Sequence, residues 1–223
     1  MSDAVAVDKK RILVVEDHPL FRAMLSQLVN QESNMTVCGE ANNTADALKI
    51  IERERPDAAI MDLTLQGPSA LELIKDLKAR QIRLPILVIS MHSEALYAER
   101  VLRAGAQGYI AKEESPTEVI AAIRKILGGG IYLSERVTET ILKRISHADR
   151  ITEATGVDLL SDREIEVFQL VGRGLNSREI SMQLRLEIST VDSYRARIKE
   201  KLGIKNAAEL YQRAARWLTE REQ

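Results

Sequence analysis

Along the first 127 residues, compact runs of apolar, largely β-branched residues alternate with longer stretches whose apolar positions recur every three or four residues. Residues 11–15 (Arg-Ile-Leu-Val-Val) form the first run, and Leu20, Met24, Leu25, Leu28 and Val29 then mark one face of a helix. Residues 35–41 and 58–62 read as the second and third strands, with a helix between them carried by Ala47, Leu48 and Ile51. A helix over 69–80, a strand over 86–90 behind Pro85, a helix over 95–104, a strand over 108–111 and a helix over 117–127 continue the alternation. Such a pattern with short connections predicts an α/β fold, a five-stranded, doubly wound parallel sheet with helices on both faces. Cys38, in the alternating second run, is expected in its core.

Beyond Gly128-Gly129-Gly130, which ends the fifth helix, residues 135–145 carry Val137, Ile141, Leu142 and Ile145 at helical spacing. The periodicity fades over 146–158, which reads as a linker. Ser161-Asp162-Arg163-Glu164 has the Ser-x-x-Glu form of a capping box and opens a helix expected to close near Gly172 or Gly174. Helices over 177–184, from Ser189-Thr190 to Leu202 with Gly203 as its stop, and over 207–220 follow. This predicts a smaller, all-α four-helix domain in which two short helices joined by a tight turn form a helix-turn-helix. The expected division is 1–130, a helix and linker over 131–158, and 159–223. On a helical wheel Val191, Ile198 and Leu202 share the core stripe, leaving Asp192, Ser193, Ala196, Arg197 and Lys199 outward, with Tyr194 and Arg195 at its border and Lys201 on a flank.

Composition narrows the function class. With 45% hydrophobic and 29% charged residues the chain is globular, and no apolar run approaches the ~20 residues of a membrane span. The amino terminus lacks the charged-then-apolar order of a secretory signal, and the single Cys38 allows no internal disulfide, so a cytoplasmic location is expected. The net charge of −1 is uneven: residues 173–216 hold ten basic and five acidic side chains, a local +5 on a remainder of −6. A basic segment of this kind suits a polyanion such as DNA, or a solvated helical surface.

The strand ends carry the candidate chemistry. In a parallel sheet the carboxyl ends of the strands line one edge, where ligands bind. Here they present Glu16 and Asp17 after the first strand, Asp62 at the third, Ser90 at the fourth and Lys112 after the fifth. Clustered carboxylates repel one another unless a cation sits among them, and hard oxygen donors suit Mg²⁺. An aspartate beside such an ion and a lysine is equipped to attack phosphorus, with a hydroxyl to hold a phosphoryl oxygen.

Over residues 11–127 the chain resembles the receiver domains of two-component response regulators, a flavodoxin-like fold, through Glu16-Asp17, Asp62, Gly67, Ser90, Gly108-Tyr109 and Lys112. The resemblance implies Asp62 as phosphoacceptor, and Glu16, Asp17, Asp62 and the Thr64 carbonyl as Mg²⁺ ligands. It implies Ser90 and Lys112 as the phosphate-sensing pair and Tyr109 as the switch aromatic. Leu65-Gln66-Gly67 stands where the family usually has Met-Pro-Gly, which should cost loop stiffness and leave the chemistry intact. His92, two residues past Ser90, is placed to influence hydrolysis of an acyl phosphate.

Residues 160–213 resemble the LuxR-type helix-turn-helix of NarL/FixJ response regulators through Leu-Ser-Asp-Arg-Glu-Ile-Glu-Val, Gly174-Leu-Asn-Ser-Arg-Glu-Ile, Ser-Thr-Val and Lys201-Leu-Gly-Ile-Lys-Asn-Ala-Ala-Glu-Leu. That implies DNA contacts by Ser189, Thr190, Asp192, Ser193, Arg195, Ala196, Arg197, Lys199 and Lys201. Asp192 and Tyr194 depart from the lysine and histidine common there; an aspartate facing a groove accepts from a cytosine amino group or else pairs within the protein. The last helix holds more apolar residues than one packing face needs, and the resemblance implies homodimerisation through it.

The expected protein is a cytoplasmic transcriptional regulator, phosphorylated on Asp62 by a sensor histidine kinase, that binds double-stranded DNA as a dimer. It is expected to turn over no external substrate, while phosphorylating and dephosphorylating its own aspartate. Two alternatives are a transcription factor whose receiver serves dimerisation without phosphate, and a Mg²⁺-dependent phosphatase. The latter would want a second acid two residues after the nucleophile, where Thr64 stands.

Overall fold

Five strands, β1 (Lys10–Val15), β2 (Met35–Ala41), β3 (Ala58–Asp62), β4 (Ile86–Ser90) and β5 (Gly108–Ala111), pair side by side in a computed structural model of the chain. All pairings are parallel and the order is β2-β1-β3-β4-β5. Helices α1 (Pro19–Gln31), α2 (Thr44–Glu54), α3 (Ala70–Ala79), α4 (Glu94–Ala104) and α5 (Pro116–Leu127) connect and follow the strands. The structure describes residues 9–65, 69–91, 94–135, 137–139, 141, 156–184 and 186–222. Gln66, Gly67, His92, most of the helix expected over 135–145 and the 146–155 part of the expected linker lie outside the described residues.

The sheet is buried on both faces because its central strands carry unbroken apolar runs: every residue of β3 and β4 is buried. Ile12, Val14, Ile60, Leu87, Ile89 and Ile110 meet Leu25 and Val29 of α1 and Val119, Ile123 and Ile126 of α5 on one side. Helices α2, α3 and α4 follow one another on the other side, opened by Asn43 and Ser69 caps in the first two. Pro116 at the start of α5 and the Ser115 cap fix where that helix begins.

Two details correct the sequence reading. Leu20 is 88% and Met24 43% exposed, so the buried stripe of α1 runs through Leu25, Ser26 and Val29. Cys38 is half-buried: the register opposite Ile12 and Leu13 skips from Val37 to Gly39, so Cys38 is the extra residue of a bulge on an edge strand. At the other edge Tyr132 pairs with β5, its N–H donating to Gln107 and its carbonyl accepting from Tyr109.

The chain divides into two units, Met1–Arg144 and Ile145–Gln223. The second holds α6 (Asp162–Gly172), α7 (Ser177–Leu184), α8 (Ile188–Leu202) and α9 (Ala207–Glu222), preceded by a 3-10 turn over Gly156–Leu159. That turn was expected to be linker; Val157 is buried and the turn packs against α8. The Ser161–Glu164 capping box forms as predicted. Gly203 closes α8 at φ 66, the left-handed backbone that favours glycine. Phe168 of α6 and Trp217 of α9 lie with ring centroids 5.5 Å apart. Leu210, Ala214, Trp217 and Leu218 are all buried within this unit, which accounts for the apolar surplus of the last helix.

Candidate functional site

Register brings the candidate residues together. Val15 lies opposite Met61, Asp62 opposite Ile89 and Ser90 opposite Ala111, so Glu16, Asp62, Ser90 and Lys112 reach the rim at one level. The Lys112 ammonium lies 2.8 Å from Glu16 Oε2 and 2.9 Å from Asp62 Oδ2. Its contact with Glu16 is an ion pair off the direction of a hydrogen bond, whereas it donates a hydrogen bond to Asp62. Glu16 is fully buried, Asp62 nearly so, and the Lys112 side chain is 9% exposed. The Thr64 N–H donates to Asp62 Oδ1 at 3.1 Å, fixing the carboxylate from the loop side.

Burial and the neighbouring Glu16 carboxylate push the Asp62 carboxyl up to about 6, against the Lys112 ammonium and the Thr64 N–H. Burial works against the Lys112 ammonium, yet the two carboxylates hold its pKa above the ordinary lysine value. Asp17 adds a third acidic group, with Glu16, Asp17 and His18 ligand atoms all within 4.8 Å of one another. Two carboxylates thus share one buried ammonium, and with Asp17 beside Glu16 negative charge is left in excess. This hard-oxygen donor set fits Mg²⁺.

The Ser90 hydroxyl is a hydrogen-bond partner of the Tyr109 hydroxyl. Both residues are fully buried, and burial raises the Tyr109 pKa above the ordinary phenol value. Three further residues shape the rim without having been singled out in the sequence. Phe21 lays its ring 4.7 Å from Lys112 Nζ, Arg22 donates to the Glu16 carbonyl at 2.6 Å, and the His18 N–H donates to Glu16 Oε1 at 3.0 Å. Their signal was the orientation of α1, which periodicity misassigned by including Leu20.

In the second unit α8 buries Val191, Ile198 and Leu202, as the wheel predicts. Ser189, Asp192, Ser193, Ala196 and Arg197 are exposed, and Thr190 and Lys199 half so. Ser189, Thr190, Ser193, Tyr194 and Arg197 line a shallow hollow on this surface. Two of the expected DNA contacts are held by protein partners. Lys201 pairs with Glu164 of the capping box at 2.7 Å, and Arg195 donates to Ser177 Oγ and the Tyr211 hydroxyl with its guanidinium 5.1 Å from the Tyr211 ring centroid. Asp192 accepts from Ser177 Oγ at 2.6 Å. Ser177 and Tyr211 were missed because their partners come from other helices.

Residues 12–124 match the response regulator receiver domain model, and residues 158–214 match that of the luxR family of bacterial regulatory proteins. The chain belongs to the LuxR-type response regulators. Among relatives, the transcriptional activator protein ExaE of Pseudomonas putida is 34% identical over 89% of this chain and 92% of its own. The response regulator UvrY of Escherichia coli K12 is 31% identical over 92% of this chain and 93% of its own. A structure of RcsB from Salmonella enterica serovar Typhimurium, bound to a promoter in the presence of phosphomimetic BeF3⁻, covers 92% of this chain and 97% of its own at 25% identity and a TM-score of 0.56. This response regulator is a DNA-binding transcriptional regulator of a two-component system, joining a flavodoxin-like receiver to a helical LuxR-type domain. Its family receives signals from histidine kinases and acts on DNA, and no helix among the described residues is long and apolar enough to cross a membrane.

Proposed function

We propose that the response regulator stores a phosphoryl group on Asp62 and converts it into a change in promoter occupancy. The observation that carries this reading is the placement of Asp62, Glu16 and Lys112 within 2.9 Å contacts at one strand-end rim. An Asp62 carboxylate oxygen bonds phosphorus while the phosphorus–nitrogen bond of a kinase phosphohistidine breaks and its electron pair leaves with the imidazole. Glu16, Asp17, Asp62 and the Thr64 carbonyl are the proposed holders of Mg²⁺, which when bound neutralises charge on the transferred group. Lys112, 2.9 Å from Asp62 Oδ2, would supply a further positive charge beside the acceptor. Ser90 turns its hydroxyl to a phosphoryl oxygen and gives up Tyr109, and that exchange biases the surface around β5 between two states.

Release follows from water attacking the same phosphorus, so the protein catalyses only its own phosphorylation and dephosphorylation. The output surface is α8: Ser189, Thr190, Asp192, Ser193, Ala196, Arg197 and Lys199 face DNA, while Arg195 and Lys201 hold the helix through Ser177, Tyr211 and Glu164. The exposed small residues left on α9, Ala207, Ala208 and Ala215, permit close approach of a second copy, and binding as a homodimer completes the reading. The functional boundaries proposed are 1–130 for the receiver, 131–158 for the connection and 159–223 for the DNA-binding domain, acting in the cytoplasm beside a sensor kinase. Incubation with Mg²⁺ and a small phosphodonor tests the chemistry: intact protein should gain one acid-stable, base-labile phosphoryl group by mass, and Asp62→Asn none. Equal labelling of both would overturn it.

A further inference from the structure

A one-way hydrogen-bond chain joins four elements of the DNA-binding unit. An arginine only donates, and a carboxylate or a backbone carbonyl only accepts, so the hydroxyls of Ser177 and Tyr211 have fixed directions. Arg195 Nη1 donates to Ser177 Oγ at 3.2 Å, and Ser177 donates in turn to Asp192 Oδ1 at 2.6 Å. Arg195 also donates to the Tyr211 hydroxyl at 3.3 Å, which donates to the Leu175 carbonyl at 3.1 Å. Ser177 at the start of α7 thereby sets one orientation for the Asp192 carboxylate, while Arg195, tied to the second turn of α9 and through it to the loop after α6, aligns Ser177.

That carboxylate sits on an exposed residue beside Ser193, on a flank of α8 about 100° around from the buried Val191. A carboxylate has about four acceptor sites and Ser177 takes one, so capacity remains and all of it is for accepting. Against phosphates such a group is repelled; over base edges it is satisfied only by an amino donor. We infer that Asp192, oriented by Ser177, is a specificity-determining acceptor that selects a base with a major-groove amino group, cytosine or adenine, and rejects guanine and thymine there. Ser177 is a positioning residue, and Arg195 aligns it. The inference rests on α8 facing DNA and adds what one of its positions reads. An asparagine would serve the protein as well as the aspartate, because its carbonyl also accepts from Ser177. It differs in lacking the charge that phosphates repel and, toward the base, in also donating.

The test is selection of duplexes from a randomised pool by the full-length chain with Mg²⁺ and a small phosphodonor, at one fixed salt concentration. Wild type should enrich one position per half-site for cytosine or adenine over guanine by about fivefold or more, the smaller end of a base-edge contact. Asp192→Asn should shift that preference toward adenine, whose N6 amino group and N7 an amide side chain meets as acceptor and donor, with the other positions unchanged. Ser177→Ala should weaken the discrimination while the fluorescence of Trp217 reports a folded unit. An identical base profile for wild type and Asp192→Asn overturns the inference and leaves DNA binding by α8 standing. A wild type that binds duplexes without any sequence enrichment overturns it too, and a wild type that binds no duplex overturns both.

Discussion

Lys112 Nζ lies 2.9 Å from Asp62 Oδ2 and 2.8 Å from Glu16 Oε2, a single ammonium shared by two buried carboxylates. Removing one partner of a buried charge pair costs more than the pair contributes, because the other charges are stranded. Lys112→Ala should therefore destabilise the receiver at neutral pH by roughly 3 kcal/mol. Urea unfolding followed by circular dichroism would show this as a receiver transition at lower urea, and the transition reported by Trp217 should not move.

Tyr109 is fully buried with its hydroxyl on Ser90, so Tyr109→Phe removes a hydrogen bond while keeping the ring. The expected cost in stability is about 1 kcal/mol. Phosphoryl uptake should be unchanged, since Tyr109 does not contact Asp62 in the proposed chemistry. The gain in DNA affinity on phosphorylation should shrink, which a binding titration with and without phosphodonor measures.

Glu164 links the cap of α6 to Lys201 of α8. Burial opposes its charge, but Lys201 and the Ser161 N–H and hydroxyl prevail and hold its carboxyl below the ordinary value of 4.5. A depressed folded pKa means that the stabilisation is present above the unfolded pKa and is lost as pH falls through the folded one. The gap in urea midpoint between wild type and Glu164→Gln, read by Trp217, should thus be constant near neutrality and close below about pH 4.5. A gap that widens on acidification would contradict the assignment.

A Cβ on Gly172 would stand 2.7 Å from both the Ala214 carbonyl oxygen and Leu218 Cδ1, so α6 and α9 touch through this position. Gly172→Ala should force the helices apart and destabilise the DNA-binding unit by about 1–3 kcal/mol, despite alanine's better helix propensity. Trp217 is the only tryptophan of the chain and packs on Phe168, so its fluorescence isolates this transition from that of the receiver.

The sequence made the rim legible because strand ends in a parallel sheet are set by where apolar runs stop, and Glu16, Asp62, Ser90 and Lys112 stand at those stops. Helix faces were less legible. Leu20 fits the 3.6-residue stripe of α1, yet it sits in the first turn and is exposed. Cys38 follows the alternation of β2 only until the register slips beside it. The surplus of α9 was invisible as core because its partners, Phe168 and Gly172, lie some 45 residues earlier. Likewise the Ser177–Asp192 bond and the ties of Arg195 and Lys201 needed the packing of four helices to appear.

If phosphate on Asp62 sets DNA binding, a titration of operator DNA with and without Mg²⁺ and a small phosphodonor will show it. Phosphodonor should raise the affinity of the intact wild-type chain and leave Asp62→Asn unchanged. Equal affinity of both proteins under both conditions would contradict it.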